Sequence, residues 1–366
     1  MFDTLILPRY RYPGWHPLDA RLALLALALL TLYGLAWVIS HPSEEAAPAD
    51  ELAIEKGDVA FYQAIVGHMA AGEGYYAAVA REQHQRGYPT RPFLTWRLPT
   101  LAWTIALLGE TLAMNLLRVI ALVTILAWML AMKDAGLGRY AMIAGGLLVY
   151  SNLVIVVPPS KVVYLHEIWA GALMALSLAL HRRWWVMSVL CALAALAVRE
   201  LALPFVLAMA FWALWEGRWS EVAGWGLGVL AFALGLVVHA GQVTELIRPD
   251  ALQGPGWLAL GGWPFLLEVN QWNLLTVGFW GLLSAPWVPL ALLGAAAWRD
   301  PTGRRLMLIV WGYSLAFLFV GRSDNGYWGL IYGPLMSISL VFAPMALRAL
   351  WRAARPGVRV RAEAGG

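Results

Sequence analysis

The chain has 366 residues, of which 61% are hydrophobic and 13% charged, against about 25% charged in an ordinary soluble domain. Side chains in that proportion must face lipid or one another, which excludes a water-soluble globule. The net charge is only +4, the 21 Trp suit a membrane interface, and the single Cys191 excludes an internal disulfide.

The first apolar run, 22–39, follows Arg21 and is longer than the h-region of a secretory signal, so it reads as a retained helix. A long connection, 41–110, comes next and is not uniformly polar. Asp58 to Ala71 patterns as an amphipathic helix with Phe61, Ile65 and Met69 along one stripe. Leu98 to Leu108 is an apolar run too short to span, suited to lying at the interface or re-entering. Further apolar runs fall at 111–132, 140–157, 167–180, 184–198, 201–215, 222–239, 272–297, 306–320 and 328–347, for about ten spans in all. Those at 167–180, 184–198, 201–215 and 306–320 are short for a bilayer of about 30 Å, as expected of helices that end inside a protein-lined cavity. Between the runs, 242–271 carries Pro249, Pro255 and Pro264, with Trp257 and Trp263 placed as interfacial anchors. The expected fold is an all-α integral membrane protein: one transmembrane domain over 1–350, a structured outer loop over 41–110, and a basic tail over 351–366 that meets headgroups. No internal repeat and no low-complexity tract is present.

Sorting the connections alternately puts 16 Lys and Arg on the N-terminal side and 10 opposite, with 7 and 15 acidic residues respectively. Arg139, Arg182, Arg183, Arg299, Arg304, Arg305, Arg348, Arg352, Arg355, Arg359 and Arg361 are among the first group. The positive-inside rule then places both termini in the cytoplasm of a multi-pass cell (inner) membrane protein, with the polar site on the outer, periplasmic side. A basic pI here reports orientation, not nucleic-acid binding.

Ionisable residues near membrane spans are costly unless paired or wet, which makes them functional candidates. Asp58 stands where a helix N-terminus favours negative charge, as N-cap or as a functional carboxylate, and Tyr62 shares its face one turn on. His166 and Glu167 open the fourth span after Pro158, Pro159, Ser160 and Lys161, placed to bind a divalent metal together with Asp58, to orient a substrate hydroxyl, or to pair structurally. Arg199 and Glu200 interrupt the apolar stretch from Trp184 to Trp215, either as a structural ion pair or as a site. Arg322, Asn325 and Tyr327 belong to a polar turn ending at Trp328, where a guanidinium can grip phosphate and the aromatics fit a membrane belt. Lys161 and the series Arg81, Arg86, Arg91, Arg97 are cations on the expected outer side, solvated or holding an anion. Walker A, HExxH, CxxC and GxSxG motifs are absent, which disfavours nucleotide-driven transport and common hydrolase chemistry.

The order of these features resembles the GT-C superfamily of membrane glycosyltransferases, which use polyprenyl-phosphate sugars. The likeness rests on Asp58 with Phe61, Tyr62 and Ala64, on Gly72-Glu73-Gly74-Tyr75-Tyr76, and on Arg91-Pro92-Phe93-Leu94-Thr95-Trp96. Gly109, Arg118, Glu167 and the turn Arg322 to Trp328 continue it. The resemblance implies transfer of one sugar from a polyprenyl-phosphate donor to a hydroxyl of a lipid or glycan acceptor of the cell envelope. Asp58 would be the general base, and Arg322, Arg199 or Lys161 would face the departing phosphate. Tyr62, His166, Glu167, Glu200, Asn325 and Tyr327 would line the donor and acceptor sites, with a divalent ion as an optional cofactor. A soluble C-terminal domain carried by many relatives has no counterpart here. A small-molecule or lipid transporter is the alternative reading.

Overall fold

The computed structural model describes residues 15–41, 57–153, 160–277 and 281–355. Among them there is no strand, and Arg91 and Gln253 form an isolated bridge. In chain order the helices are α1 (Pro17–Ser40), α2 (Asp58–Ala70), α3 (Tyr75–Arg86), α4 (Thr100–Leu108), α5 (Glu110–Asp134), α6 (Arg139–Leu153), α7 (His166–Leu180) and α8 (Trp185–Val198). They continue with α9 (Leu203–Trp215), α10 (Trp219–Leu246), α11 (Gly262–Val269), α12 (Leu274–Val277), α13 (Ser284–Ala297), α14 (Pro301–Phe319), α15 (Gly333–Leu340) and α16 (Ala343–Ala354). Short 3-10 turns occur at Phe93–Thr95, Ser160–Tyr164, Glu200–Ala202 and Ser323–Ile331.

Helices α1, α5 and α10, of 24, 25 and 28 residues, are long and apolar enough to cross a bilayer, and α15 with α16 make a fourth such segment bent by 49°. By contrast α7, α8 and α9 have 15, 14 and 13 residues, which at about 1.5 Å per residue reach only about 20–22 Å. The chain is thus a helical membrane protein with several apolar helices shorter than a span. Its helix faces fit this. Leu22, Leu25, Leu29 and Leu32 of α1 point outward at helical spacing, while Ala20, Gly34 and Val38 point inward. Helix α10 likewise exposes Leu227, Leu230, Leu234 and Val237. Large apolar groups outside and small ones inside are what lipid-facing helices require, because lipid supplies no hydrophobic force driving helices together and close packing must hold them.

Several boundaries differ from the periodicity. The run 272–297 is not one helix: α12 is a single turn whose Leu275 amide donates to Asn273 Oδ1 at 2.8 Å, and Gly281 takes φ +74° before α13 begins. Asn and Gly, which hold turns cheaply, override the apolar composition there; residues 278–280 lie outside the described residues. The run 328–347 starts in a 3-10 turn and bends after α15. Residues 154–157 of the run 140–157 lie outside the described residues. So do 42–56 of the outer loop, Pro158 and Pro159, and 356–366 of the tail, including Arg359 and Arg361. Within 242–271, α11 buries Phe265, Leu266, Leu267 and Val269, a short apolar helix where a loop was expected.

The described contacts gather into two compact units, one of Met1–Ser43, Ile125–Asn152 and Leu260–Gly366, the other of Glu44–Thr124 and Leu153–Ala259. In the first, α13 is the central helix, touching α1, α14, α15 and α16. Its Gly294 lies so close to α15 that an added Cβ would run into the Ser339 carbonyl oxygen. That obstacle is backbone, which cannot rotate away. Gly294→Val is therefore expected to lower the thermal midpoint of the purified protein by the equivalent of about 1–3 kcal/mol, as overpacking does; an unchanged midpoint would show that the crossing has slack. Buried amides and hydroxyls bind the same unit: Asn270 Nδ2 donates to the Tyr332 hydroxyl at 2.9 Å, Asn273 Nδ2 to Ser151 Oγ at 3.0 Å, and Asn152 Nδ2 to Ser337 Oγ.

In the second unit α7 and α8 form an antiparallel hairpin, tied by Ser177 Oγ donating to the Ser188 carbonyl at 2.7 Å. Thr124 Oγ of α5 donates to the Ala172 carbonyl of α7 at 3.2 Å. Helices α2 and α3 pack through Phe61 and Ile65 against Tyr75, Ala78 and Val79, so the predicted stripe is the buried face. A polar clasp closes their far ends, with His68 Nε2 donating to Glu82 Oε1 at 2.8 Å and Arg86 Nε to Glu82 Oε2 at 3.0 Å. Burial works to raise the Glu82 carboxyl, yet these hydrogen bonds and the Arg86 charge outweigh it and hold it below its ordinary range. A carboxyl lowered in the folded state stabilises fully above its unfolded value of about 4.3 and loses that contribution as pH falls through the folded value. Amide protection in α2 and α3, taken relative to the intrinsic exchange rate at each pH, is accordingly expected to fall below about pH 4.3, and Glu82→Gln to remove most of that acid sensitivity. Equal acid dependence in both proteins would discard the clasp.

Candidate functional site

The second unit contains the strongest polar constellation. Gly57 is the N-cap of α2, so Asp58 is its first helical residue rather than the cap, which corrects the cap reading while keeping the carboxylate in the favourable first turn. One turn later the Tyr62 ring lies 4.6 Å from the His166 ring, centroid to centroid, tilted by 60°. His166 starts α7 after an extended Leu165, and both His166 and Glu167 are buried.

Behind this pair runs a ladder of alternating charge. Arg199 Nε donates to Glu167 Oε1 at 2.6 Å, Arg199 Nη1 to Glu200 Oε1, and Arg97 Nη1 to the same Glu200 oxygen at 3.4 Å. Arg199 can reach two carboxylates because the helix breaks there: α8 ends at Val198, Arg199 is extended at φ −146° and ψ 116°, and Glu200 opens a 3-10 turn. Glu167 and Arg199 are 2% and 1% exposed, so the pair is a desolvated one. The break at Arg199-Glu200 is as the sequence implied, and the structural ion pair and the candidate site are the same group of atoms.

Tyr75 donates its hydroxyl to the Arg97 carbonyl at 2.6 Å, which pins the segment leading into α4. Burial pushes the Tyr62 phenol well up; Arg97 opposes that, Asp58 and Glu167 add to it, and Arg199 opposes it. Asp58, Glu167, Arg97 and Arg199 thus all act on one hydroxyl, which stays protonated at physiological pH. Tyr62, Ile65, Tyr75, Ile105, Tyr164 and His166 are among the lining of a small cleft with room for roughly one water. At its edge the Tyr164 hydroxyl donates to Glu110 Oε2 at 3.2 Å. Next to the ladder, the buried His239 of α10 meets the Tyr76 hydroxyl through Nδ1 at 3.1 Å and faces Phe93.

The structure therefore brings Asp58, Tyr62, His166, Glu167, Arg199 and Glu200 together in one unit. Lys161 lies in the 3-10 turn just before them, with its side chain outside the described residues. Arg322, Asn325 and Tyr327 belong to the other unit. There Arg322 caps the 3-10 turn, its amide donating to Asn325 Oδ1 at 3.3 Å, and Asn325 is buried. Tyr327 meets Trp272 edge to face at 6.4 Å. Trp328 is 4% exposed, so it is a core residue and not a membrane-belt anchor.

Two functional candidates were hidden in the sequence. Arg97 stood as one of four outer cations; its signal was its place at the mouth of the apolar run 98–108. His239 stood inside a span, where an isolated His is itself a sign of a polar neighbour. The metal trio is corrected. Among the described residues no three His, Cys, Asp or Glu side chains converge as a metal group, because Glu167 turns to Arg199 and His166 presents its ring to Tyr62.

Compared with family models, with curated proteins and with solved structures, the chain matches none.

Proposed function

We propose that this protein is a GT-C-type glycosyltransferase that moves a single sugar from a polyprenyl-phosphate donor to an acceptor hydroxyl on the outer face of the cell membrane. The carrying observation is that Asp58, His166 and Glu167 gather around the Tyr62 phenol, backed by the Arg199, Glu200 and Arg97 ladder. In this reading about ten apolar segments lie in the membrane, both termini are cytoplasmic, and the short helices α7, α8 and α9 surround a vestibule.

The chemistry is one displacement. Asp58 takes the proton of the acceptor hydroxyl, the acceptor oxygen bonds to the anomeric carbon, and the bond from that carbon to the lipid phosphate breaks with inversion. The lipid phosphate leaves with the electron pair and the added negative charge. Arg97 and Lys161, which belong to the same unit as Asp58, are the cations assigned to that charge. Two of the Arg199 N–H directions are already directed at Glu167 and Glu200, so Arg199 is a positioning residue that aims Glu167 at a sugar or acceptor hydroxyl. Tyr62, held protonated, donates to the same ligand. An acceptor of lipid or glycan type can approach from the membrane, and the donor's prenyl tail never has to leave it.

The test is turnover of a panel of radiolabelled polyprenyl-phosphate sugars by the purified protein, with envelope lipid extract as acceptor. Transfer from one donor supports the reading and identifies the sugar. Inactivity with every donor would move the assignment to a lipid or small-molecule transporter, which the helix breaks at Arg199 and at α12 also suit.

A further inference from the structure

From the geometry of α16 we infer a docking surface for anionic glycerophospholipid headgroups, built by Arg348, Trp351, Arg352 and Arg355. Helix α16 departs from α15 with a bend of 49°, so it does not simply prolong the preceding helix. Its two faces are sharply divided. Ala346 and Leu350 are buried in one apolar cluster with Ala20 of α1 and Ala297 of α13, and Ala343 is buried as well. The opposite face exposes Pro344, Arg348, Trp351 and Arg352, a spacing that places them on one stripe, and the exposed Arg355 follows as the extended C-cap.

That stripe has the chemistry of a membrane surface. The guanidiniums of Arg348 and Arg352 lie on one face of a helix that has no acidic residue of its own, and Arg355 adds a third at its C-cap. Trp351 is 58% exposed, and the Arg355 guanidinium stands over its ring at 5.7 Å from the centroid. An exposed indole beside cations suits the headgroup level, where the ring enters the acyl boundary and the cations meet phosphates. The helix is also locked in place: Arg21 Nε of α1 donates to the Ala354 carbonyl at 2.9 Å, satisfying one of the last carbonyls of α16. A rigid cationic stripe of this kind recognises anionic lipid through charge and bidentate guanidinium–phosphate contact, and it weakens as salt rises. This surface is independent of the glycosyl-transfer reading, since it lies in the other unit and calls for no catalysis.

The experiment uses the full-length protein in nanodiscs of phosphatidylcholine with graded phosphatidylglycerol, reading thermal unfolding and the phosphatidylglycerol retained on re-extraction by native mass spectrometry. Wild type is expected to gain stability and retain phosphatidylglycerol. Arg348→Gln/Arg352→Gln/Arg355→Gln is expected to lose about a hundredfold in retention, each arginine contributing about fivefold, the equivalent of about 1 kcal/mol. The triple Arg→Lys variant keeps the charge and should keep most of the effect, which guards against a fold defect in the Gln variant. Equal retention by wild type and the Gln variant, or the absence of any phosphatidylglycerol effect on wild type, would overturn the proposal.

Discussion

Asp58→Asn is expected to cut sugar transfer by about 10²–10⁴-fold, the usual contribution of a positioned general base, while leaving the thermal midpoint of the protein nearly unchanged. The second half of that statement follows from position. Asp58 is the first residue of α2 with Gly57 as the cap, where a charge interacts with the helix dipole by about 0.3–1 kcal/mol. Asn has the same shape and can still accept a hydrogen bond, but it cannot carry a proton away from an acceptor hydroxyl. Tyr62→Phe provides the contrast, because it removes a donor and not the base. It should raise KM more than it lowers kcat, if the phenol binds the ligand equally in the ground and transition states. Rates of Asp58→Asn and wild type that match within error, on a donor the wild type turns over, would reduce Asp58 to a helix-terminus charge.

What could be read from the sequence, and what could not, divides along physical lines. Periodicity found α2 to within one residue and its buried stripe of Phe61 and Ile65, because an amphipathic pattern repeats locally. The helix break at Arg199 was legible for a similar reason, since two charges in an apolar stretch cannot both be covered by one smooth helix in lipid. Partnerships were not legible. Nothing in the order of residues says that Arg199 reaches back 32 positions to Glu167, or that Arg97 reaches forward 103 positions to Glu200. Those contacts depend on how α4, α7 and α8 pack, which is non-local. Trp328 shows the same limit from the other side: an indole in an apolar chain is equally at home in the core and at the interface, and only tertiary packing chose the core. Helix α11 escaped notice because Pro264 and paired Gly residues signal a loop, although Pro near a helix start and Gly before it are compatible with a short helix.

The ladder makes the second large prediction, and it separates structure from function. Arg199→Met alone removes the cation and leaves Glu167, 2% exposed, as an uncompensated buried carboxylate. Breaking one side of such a pair costs about 3–5 kcal/mol, so the single variant should unfold far below wild type or fail to accumulate. Glu200 is affected less, since its carboxylate is 20% exposed and also faces Arg97 at 3.4 Å. Replacing both partners, Glu167→Leu with Arg199→Met, deletes the charge and its counter-charge together, and swaps of that kind are often neutral or stabilising. The double variant should therefore recover much of the midpoint lost by the single one in detergent melts. Additive losses would mean that the pair is not coupled as its 2.6 Å contact implies. Stability and turnover then carry different information. A folded double variant that no longer transfers sugar assigns Glu167 to the ligand, with Arg199 holding its carboxylate in place. A folded double variant that transfers at the wild-type rate makes the pair a membrane-buried strut and leaves Asp58, Tyr62 and His166 as the site.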